Sequence, residues 1–146
     1  MLPFVPRIFA MFAETRLRVL LVEDSAVLRS RLTESLSTLA SVEVVGASDS
    51  ENGALTELLR ADYDAVVLDL QLKQGNGFNV LKAIRQADGP HRHTTVIVLT
   101  NYAFSLYRHR CLQAGADFFF DKARDYDRLP EILHQLAEER QMPHAS

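Results

Sequence analysis

From Leu17 onward the chain alternates short apolar runs with longer amphipathic stretches. Leu17–Val22 (LRVLLV) is almost uninterrupted by polar residues and stops at Glu23-Asp24-Ser25. Leu28, Leu32, Leu36 and Leu39 then recur at spacings of 4, 4 and 3, which is one face of a helix. The alternation continues with a strand at Val42–Ala47 and a short helix marked by Leu55, Leu58 and Leu59. A third run, Ala65–Leu70, closes on Asp69. The turn Gly75-Asn76-Gly77 leads to a helix on Val80, Leu81, Ile84 and Ala87, broken by Asp88-Gly89-Pro90. Thr95–Thr100 predicts a fourth strand, with a helical stripe on Phe104, Tyr107, Cys111 and Ala114 that ends at Gly115. Asp117–Asp121 (DFFFD) predicts a short fifth strand. A last helix follows on Leu129, Ile132, Leu133 and Leu136, with Pro130 tolerated in its first turn.

Five strand–helix pairs whose strands are apolar on both faces predict an α/β fold. The expected architecture is a doubly wound, five-stranded parallel sheet with helices on both faces, a flavodoxin-like (βα)5 arrangement. The expected organisation is an N-terminal extension over 1–15, one domain over 16–141 and a C-terminal tail over 142–146. Composition agrees with a single folded domain. Of 146 residues, 47% are hydrophobic and 24% charged, and six Gly and five Pro are too few for a disordered or fibrous chain. One cysteine, Cys111, forms no internal disulfide and favours a reducing, cytoplasmic setting. A net charge of −3 argues against a domain that grips nucleic acid, and no apolar stretch reaches the ~20 residues a membrane span needs. The apolar N-terminal stretch, broken by Pro3 and Pro6 and without a basic start, does not read as a signal peptide. Thirteen Arg stand against three Lys (Lys73, Lys82, Lys122), so each lysine position draws notice.

In a doubly wound sheet, ligands bind beyond the carboxyl ends of the strands. Those ends carry Glu23 and Asp24, then Asp69, Thr100, and Asp121-Lys122. Any one Asp after a strand is most often a turn former or helix cap. Several carboxylates at one edge are different, because two unit charges ~4 Å apart repel by ~4 kcal/mol at an effective dielectric of ~20. Such a group needs a proton or a cation, and hard oxygen ligands suit Mg²⁺. Thr100 and Lys122 add a hydroxyl and an ammonium, both fit for an anion such as a phosphoryl group.

These residues carry a resemblance. Val22-Glu23-Asp24-Ser25, Val67-Leu68-Asp69-Leu70, Gly77, Val98-Leu99-Thr100 and Ala114-Gly115-Ala116 followed by Lys122 stand in order. The separations Asp24 to Asp69 (45), Asp69 to Thr100 (31) and Thr100 to Lys122 (22) complete the pattern. From about Leu17 to Arg140 the chain resembles a response regulator receiver domain of the CheY-like superfamily. The resemblance implies two-component signal transduction, in which Asp69 accepts a phosphoryl group from a sensor histidine kinase or phosphotransfer protein. It implies Mg²⁺ held by Asp24, Asp69 and the backbone carbonyl of Gln71, with Glu23 acting through water. It also implies Thr100 and Lys122 on the phosphate oxygens, and a switch in which Thr100 moves and Phe119 follows. On this reading the domain is not an enzyme but a phosphoacceptor that assists its own phosphorylation and dephosphorylation. A receiver-like interaction module that works without phosphate is the alternative. A metal-dependent phosphatase is disfavoured because Gln71 stands where a second Asp is usual, and no Gly-rich loop follows the first strand to hold a dinucleotide.

The chain departs from the family pattern at several positions. Leu72-Lys73 replaces a common Met-Pro, Ala123 replaces the Pro after the lysine, and Phe119 lacks a tyrosine hydroxyl. Asn101, Tyr102 and Gln71 are expected to narrow access for small phosphodonors. With six residues after Arg140, the expected output is a protein contact, a relay step or an effector domain outside this sequence. Its surface is placed on the fourth helix, fifth strand and fifth helix around Leu106, Tyr107, Arg108 and Phe120, a face on which two copies could also dimerise. His91 and His93 read as a solvated turn, His134 as surface and Cys111 as core.

Overall fold

The computed structural model describes residues 16–86 and 88–141. The expected extension 1–15, the tail 142–146 and Ala87 lie outside the described residues. Five strands, β1 (Leu17–Val22), β2 (Val42–Ser48), β3 (Ala65–Leu68), β4 (Thr95–Thr100) and β5 (Phe118–Asp121), form one sheet in the order β2-β1-β3-β4-β5. Every pairing is parallel. The helices between them are α1 (Ala26–Ser37), α2 (Glu51–Arg60), α3 (Gly77–Ile84) and α4 (Ser105–Gln113). A single helical turn, Lys122–Asp125, and a 3₁₀ turn, Tyr126–Arg128, lead into α5 (Leu129–Gln141).

Alternation along the strands divides the core into two layers. Leu20, Val22, Val66, Leu68, Val96, Val98 and Phe119 point to the side covered by α2, α3 and α4, where Ala54, Leu58, Val80, Leu81, Ile84 and Cys111 meet them. Leu17, Val19, Leu21, Ala65, Val67, Ile97, Leu99 and Phe120 point to the other side, against Leu32 and Leu36 of α1 and Leu129, Leu133 and Ala137 of α5. Covering both faces removes the strands from water, which is why their sequences are apolar at consecutive positions. Short polar residues start three of the helices. The Ser25 hydroxyl accepts from the Leu28 N–H (3.2 Å), that of Ser50 from Gly53 (3.0 Å), and the Asn76 side-chain oxygen from Asn79 (2.9 Å).

Two helical stripes differ from expectation. In α2 the buried pair is Ala54 and Leu58, four residues apart, so Leu59 is rotated about 100° away and is 90% exposed. In α4 only Cys111 is buried, while Phe104 is 61% exposed and Tyr107 is exposed as well. Phe104 occupies the N-cap without a side-chain hydrogen bond, and α4 docks through its C-terminal half, where Cys111 and Ala114 meet the core. The aromatic rings at the overhanging end pack on one another instead. Ring centroids lie 6.4 Å apart for Tyr102–Phe104 and 5.9 Å for Phe104–Tyr107.

The turn read at His91 also differs. His91 is buried, and its Nε2 meets the carbonyl oxygen of Leu58 in the last turn of α2. Helix C-terminal carbonyls lack intrahelical partners, and here a distant imidazole satisfies one. His93 is exposed as expected, and so is His134, which contacts Ser41 (3.1 Å) and Glu138 (3.1 Å).

Candidate functional site

The strand order reverses direction between β1 and β3, since β1 connects outward to β2 and β3 lies on its other side. Crevices in such sheets open at this point, beyond the strand carboxyl ends. The ladder continues one residue past β1 and β3, so that Glu23 N–H donates to Ser48 O (2.9 Å) and Asp69 N–H donates to Val22 O (2.9 Å). Glu23 and Asp69 are thereby fixed by backbone pairing, and both are buried. Carboxylate oxygens of Glu23, Asp24 and Asp69 lie within 4.8 Å of one another.

Lys122, the first residue after β5, reaches into this cluster. Its ammonium lies 2.6 Å from Asp69 Oδ2 and 2.5 Å from Glu23 Oε1. Asp121 directs it: the Asp121 side chain accepts from Ala123 N–H (2.9 Å), and its own N–H donates to Asp125 Oδ2 (3.1 Å), forming the turn that follows the strand. The peptide between Lys122 and Ala123 is trans, like every other among the described residues. Burial alone would disfavour the charge of Lys122. The hydrogen bonds and charges of Asp69 and Glu23 outweigh it and hold the ammonium above its ordinary range.

Two backbone amides complete the carboxylate shell. Ser25 N–H donates to Glu23 Oε2 (2.9 Å), and Gln71 N–H donates to Asp69 Oδ1 (3.3 Å). Burial, and then the hydrogen bond with Asp24, push the Glu23 carboxyl above the usual carboxylate range. Three carboxylates stand against one ammonium in the pocket. A hard divalent cation would relieve this, and an all-oxygen set partly open to water suits Mg²⁺ chemically. The residues present therefore fit such an ion.

Thr100 closes β4 at the same edge, wholly buried, and its hydroxyl oxygen accepts from Tyr102 N–H (3.1 Å). Gly77 also belongs to the site. A Cβ there would lie 2.0 Å from the backbone oxygen of Asp69, so no larger residue fits without moving the strand end. Gln71 and Tyr102 are exposed and face each other across a cleft of about 320 Å³ that runs between α3 and α4, whereas Asn101 is exposed outside its lining. Phe119 is buried on the α4 side, and its carbonyl accepts from Arg108 (3.4 Å).

Phe120 differs from expectation. It is not surface on the α4 side: it is buried on the opposite face of the sheet, its ring 5.7 Å from that of Phe118 and covered by the Arg128 guanidinium at 4.9 Å. Successive strand residues point to opposite faces, so Phe119 and Phe120 cannot share one. Leu106, Tyr107 and Arg108 are exposed. The residue pattern also missed Arg29, whose guanidinium holds the Glu23 carbonyl (2.7 Å), and Asp125. An Arg one turn into a helix and an Asp after a lysine carry no signal that separates them from ordinary surface charge.

A parallel five-stranded sheet with an acidic cluster and a lysine at its switch point defines a class. The family model described as response regulator receiver domain matches residues 19–134, and the chain belongs to that family. Among curated relatives, the sensory transduction protein LytT of Bacillus cereus is 28% identical over 125 residues, covering 86% of this chain and 49% of that protein. A protein-glutamate methylesterase/protein-glutamine glutaminase of Anaeromyxobacter dehalogenans is 39% identical over 101 residues, covering 68% of this chain and 27% of that protein. The chain thus spans half or less of the length of these relatives. Among solved structures, the receiver domain of the sensor histidine kinase PA1611 from Pseudomonas aeruginosa PAO1 aligns with a TM-score of 0.71 at 28% identity. It covers 84% of this chain and 98% of that one, and carries a magnesium ion in its active-site cleft. The chain is a receiver domain of the kind found in two-component response regulators. Among the described residues, no helix is long and apolar enough to cross a membrane.

Proposed function

We propose that Asp69 is the phosphoacceptor of this receiver domain and that residues 16–141 form the receiving unit. The observation that carries the reading is the Lys122 ammonium 2.6 Å from Asp69 Oδ2, with oxygens of Glu23 and Asp24 within 4.8 Å of the same carboxylate. One oxygen of Asp69 attacks the phosphorus of a phosphohistidine on a sensor kinase or phosphotransfer protein. The P–N bond breaks, the electron pair stays on the imidazole, and Asp69 becomes an acyl phosphate. Lys122, already charged and desolvated, moves from a carboxylate partner to the incoming phosphoryl oxygens. The Thr100 hydroxyl supplies a further hydrogen bond to those oxygens. Asp24, Asp69 and the Gln71 carbonyl would hold Mg²⁺, with Glu23 behind a water, and the ion would neutralise charge on the phosphoryl group.

Turning the Thr100 hydroxyl toward phosphate gives up its bond from Tyr102 N–H, which links the site to the start of α4. Phe119 shares the α4 side of the core and lies next in line for repacking, and the exposed Leu106, Tyr107 and Arg108 then form the output face. Gln71 and Tyr102, with Asn101 beside them, restrict small donors. The test is incubation of the full chain with acetyl phosphate and MgCl₂, followed by intact-mass measurement. The expected result is one phosphoryl group on the wild type, none on Asp69→Asn and none when the metal is chelated. An unmodified wild type that also binds no beryllofluoride would instead mark an interaction module that works without phosphate.

A further inference from the structure

The loop Gln71–Asn76 follows the phosphoacceptor and is exposed over most of its length, conditions under which a loop is ordinarily mobile. Its own closure is the pairing of Gln71 with Asn76. Gly77 N–H donates to Leu70 O at the foot of the loop (3.0 Å), and further ties come from the start of α2. Lys73 N–H donates to Asp49 O (3.1 Å), Glu51 N–H to Gln74 O (2.9 Å), and Asn52 N–H to the Gln74 side-chain oxygen (2.9 Å). The Glu51 carboxylate acts at the base of the loop. One oxygen, Oε1, accepts both Asn76 N–H (3.0 Å) and the Asn79 side-chain amide (3.0 Å).

We propose that Glu51 is a positioning residue for the receiver site, acting through Asn76 on Gln71 and so on Asp69. The inference rests on the reading of Asp69 as a metal-assisted phosphoacceptor. Asn76 sits at a junction. It caps α3, pairs with Gln71, and is held from outside by Glu51. Gln71 in turn donates its N–H to Asp69 Oδ1 and offers the carbonyl expected to face the ion. Removing the Glu51 acceptor leaves Asn76 N–H to water and loosens the Asn76 side of the pair, leaving the Gly77 N–H to Leu70 O bond (3.0 Å) as the tie at the foot of the loop. The Asn76 N–H, followed by the Asn79 amide, holds the Glu51 carboxyl below the usual carboxylate range, which accords with an acceptor kept ionised in place. Glu51 touches neither the acidic cluster nor Lys122, so its effect reaches the site through geometry.

The experiment titrates MgCl₂ into the full chain by calorimetry, with hydrogen exchange of the Gln71 and Asn76 amides followed in the metal-free protein. For Glu51→Ala we expect roughly tenfold weaker Mg²⁺ binding, the lower end of the loss seen when outer partners of a metal site are removed, and faster exchange at both amides. Glu51→Gln keeps an acceptor oxygen and is expected to restore most of the affinity, a rescue that a nonspecific loss of stability would not show. Should Glu51→Ala fail to fold, Glu51→Asp carries the same test, because its shorter side chain cannot reach both donors. Wild-type affinity in Glu51→Ala, or a Gln variant as impaired as Ala, overturns the proposal. A wild type that binds no Mg²⁺ overturns the phosphoacceptor reading itself.

Discussion

Gly77 shows how a single atom constrains the site. Its own backbone angles are ordinary, and the demand comes from the Asp69 carbonyl, 2.0 Å from where a Cβ would stand. Gly77→Ala must push α3 away or tilt the end of β3. The expected outcome is a loss of about 1–3 kcal/mol in denaturant unfolding, accompanied by weaker beryllofluoride binding. Asp125 acts by charge. Its carboxylate accepts Asp121 N–H, and that bond, ahead of its neighbours Arg124 and Arg128, holds its acidity below the usual range. A carboxyl whose folded value is depressed contributes stability above its unfolded value near 4. That contribution is lost as pH falls through the folded value. Asp125→Asn is therefore expected to lower stability at pH 7 and to flatten its decline below pH ~4, as seen by thermal unfolding across pH.

At the scale of elements, α4 stands apart. It buries one residue, starts without a side-chain cap, and leaves Phe104, Leu106, Tyr107 and Leu112 in water. A helix with so few core contacts opens at low free-energy cost, and it lies between Thr100 and Phe119 in sequence. Hydrogen exchange should be faster across α4 than across α3, whose Val80, Leu81 and Ile84 are all buried. Leu106→Ser and Phe104→Ala are expected to change stability by less than about 0.5 kcal/mol, while reducing capture of whatever partner reads the phosphorylated state. Fast exchange confined to another helix would remove α4 as the responsive element.

Across the whole molecule, excess negative charge is held at one edge of a sheet covered by helices on both faces. Binding a divalent ion there stabilises the native chain by mass action, about 2.7 kcal/mol at one hundred times the dissociation constant. For a domain of this size that is a rise of roughly 8 °C in Tm. Scanning calorimetry with and without MgCl₂ should show it in the wild type, and Asp24→Ala should show little or none. An equal rise in both proteins would mean that the ion acts elsewhere.

The strand runs, their order as a doubly wound sheet, and the acidic edge with Thr100 and Lys122 were legible in the residues alone. Strands buried on both faces must be apolar at consecutive positions, and the residues that end them must lie on one rim. Helix faces were less legible. Leu59 and Leu58 are the same residue type side by side, and only the position of α2 over the sheet selects which one is buried. The aromatics of α4 and Phe120 were misplaced for a related reason: hydrophobicity says that a side chain gains from burial, but not which surface has room for it. His91, Arg29, Asp125 and Glu51 are polar residues whose partners lie between 4 and 33 positions away. Hydrogen bonds of that kind follow no period along the chain. They form when packing has already brought the backbone of one element beside the side chain of another.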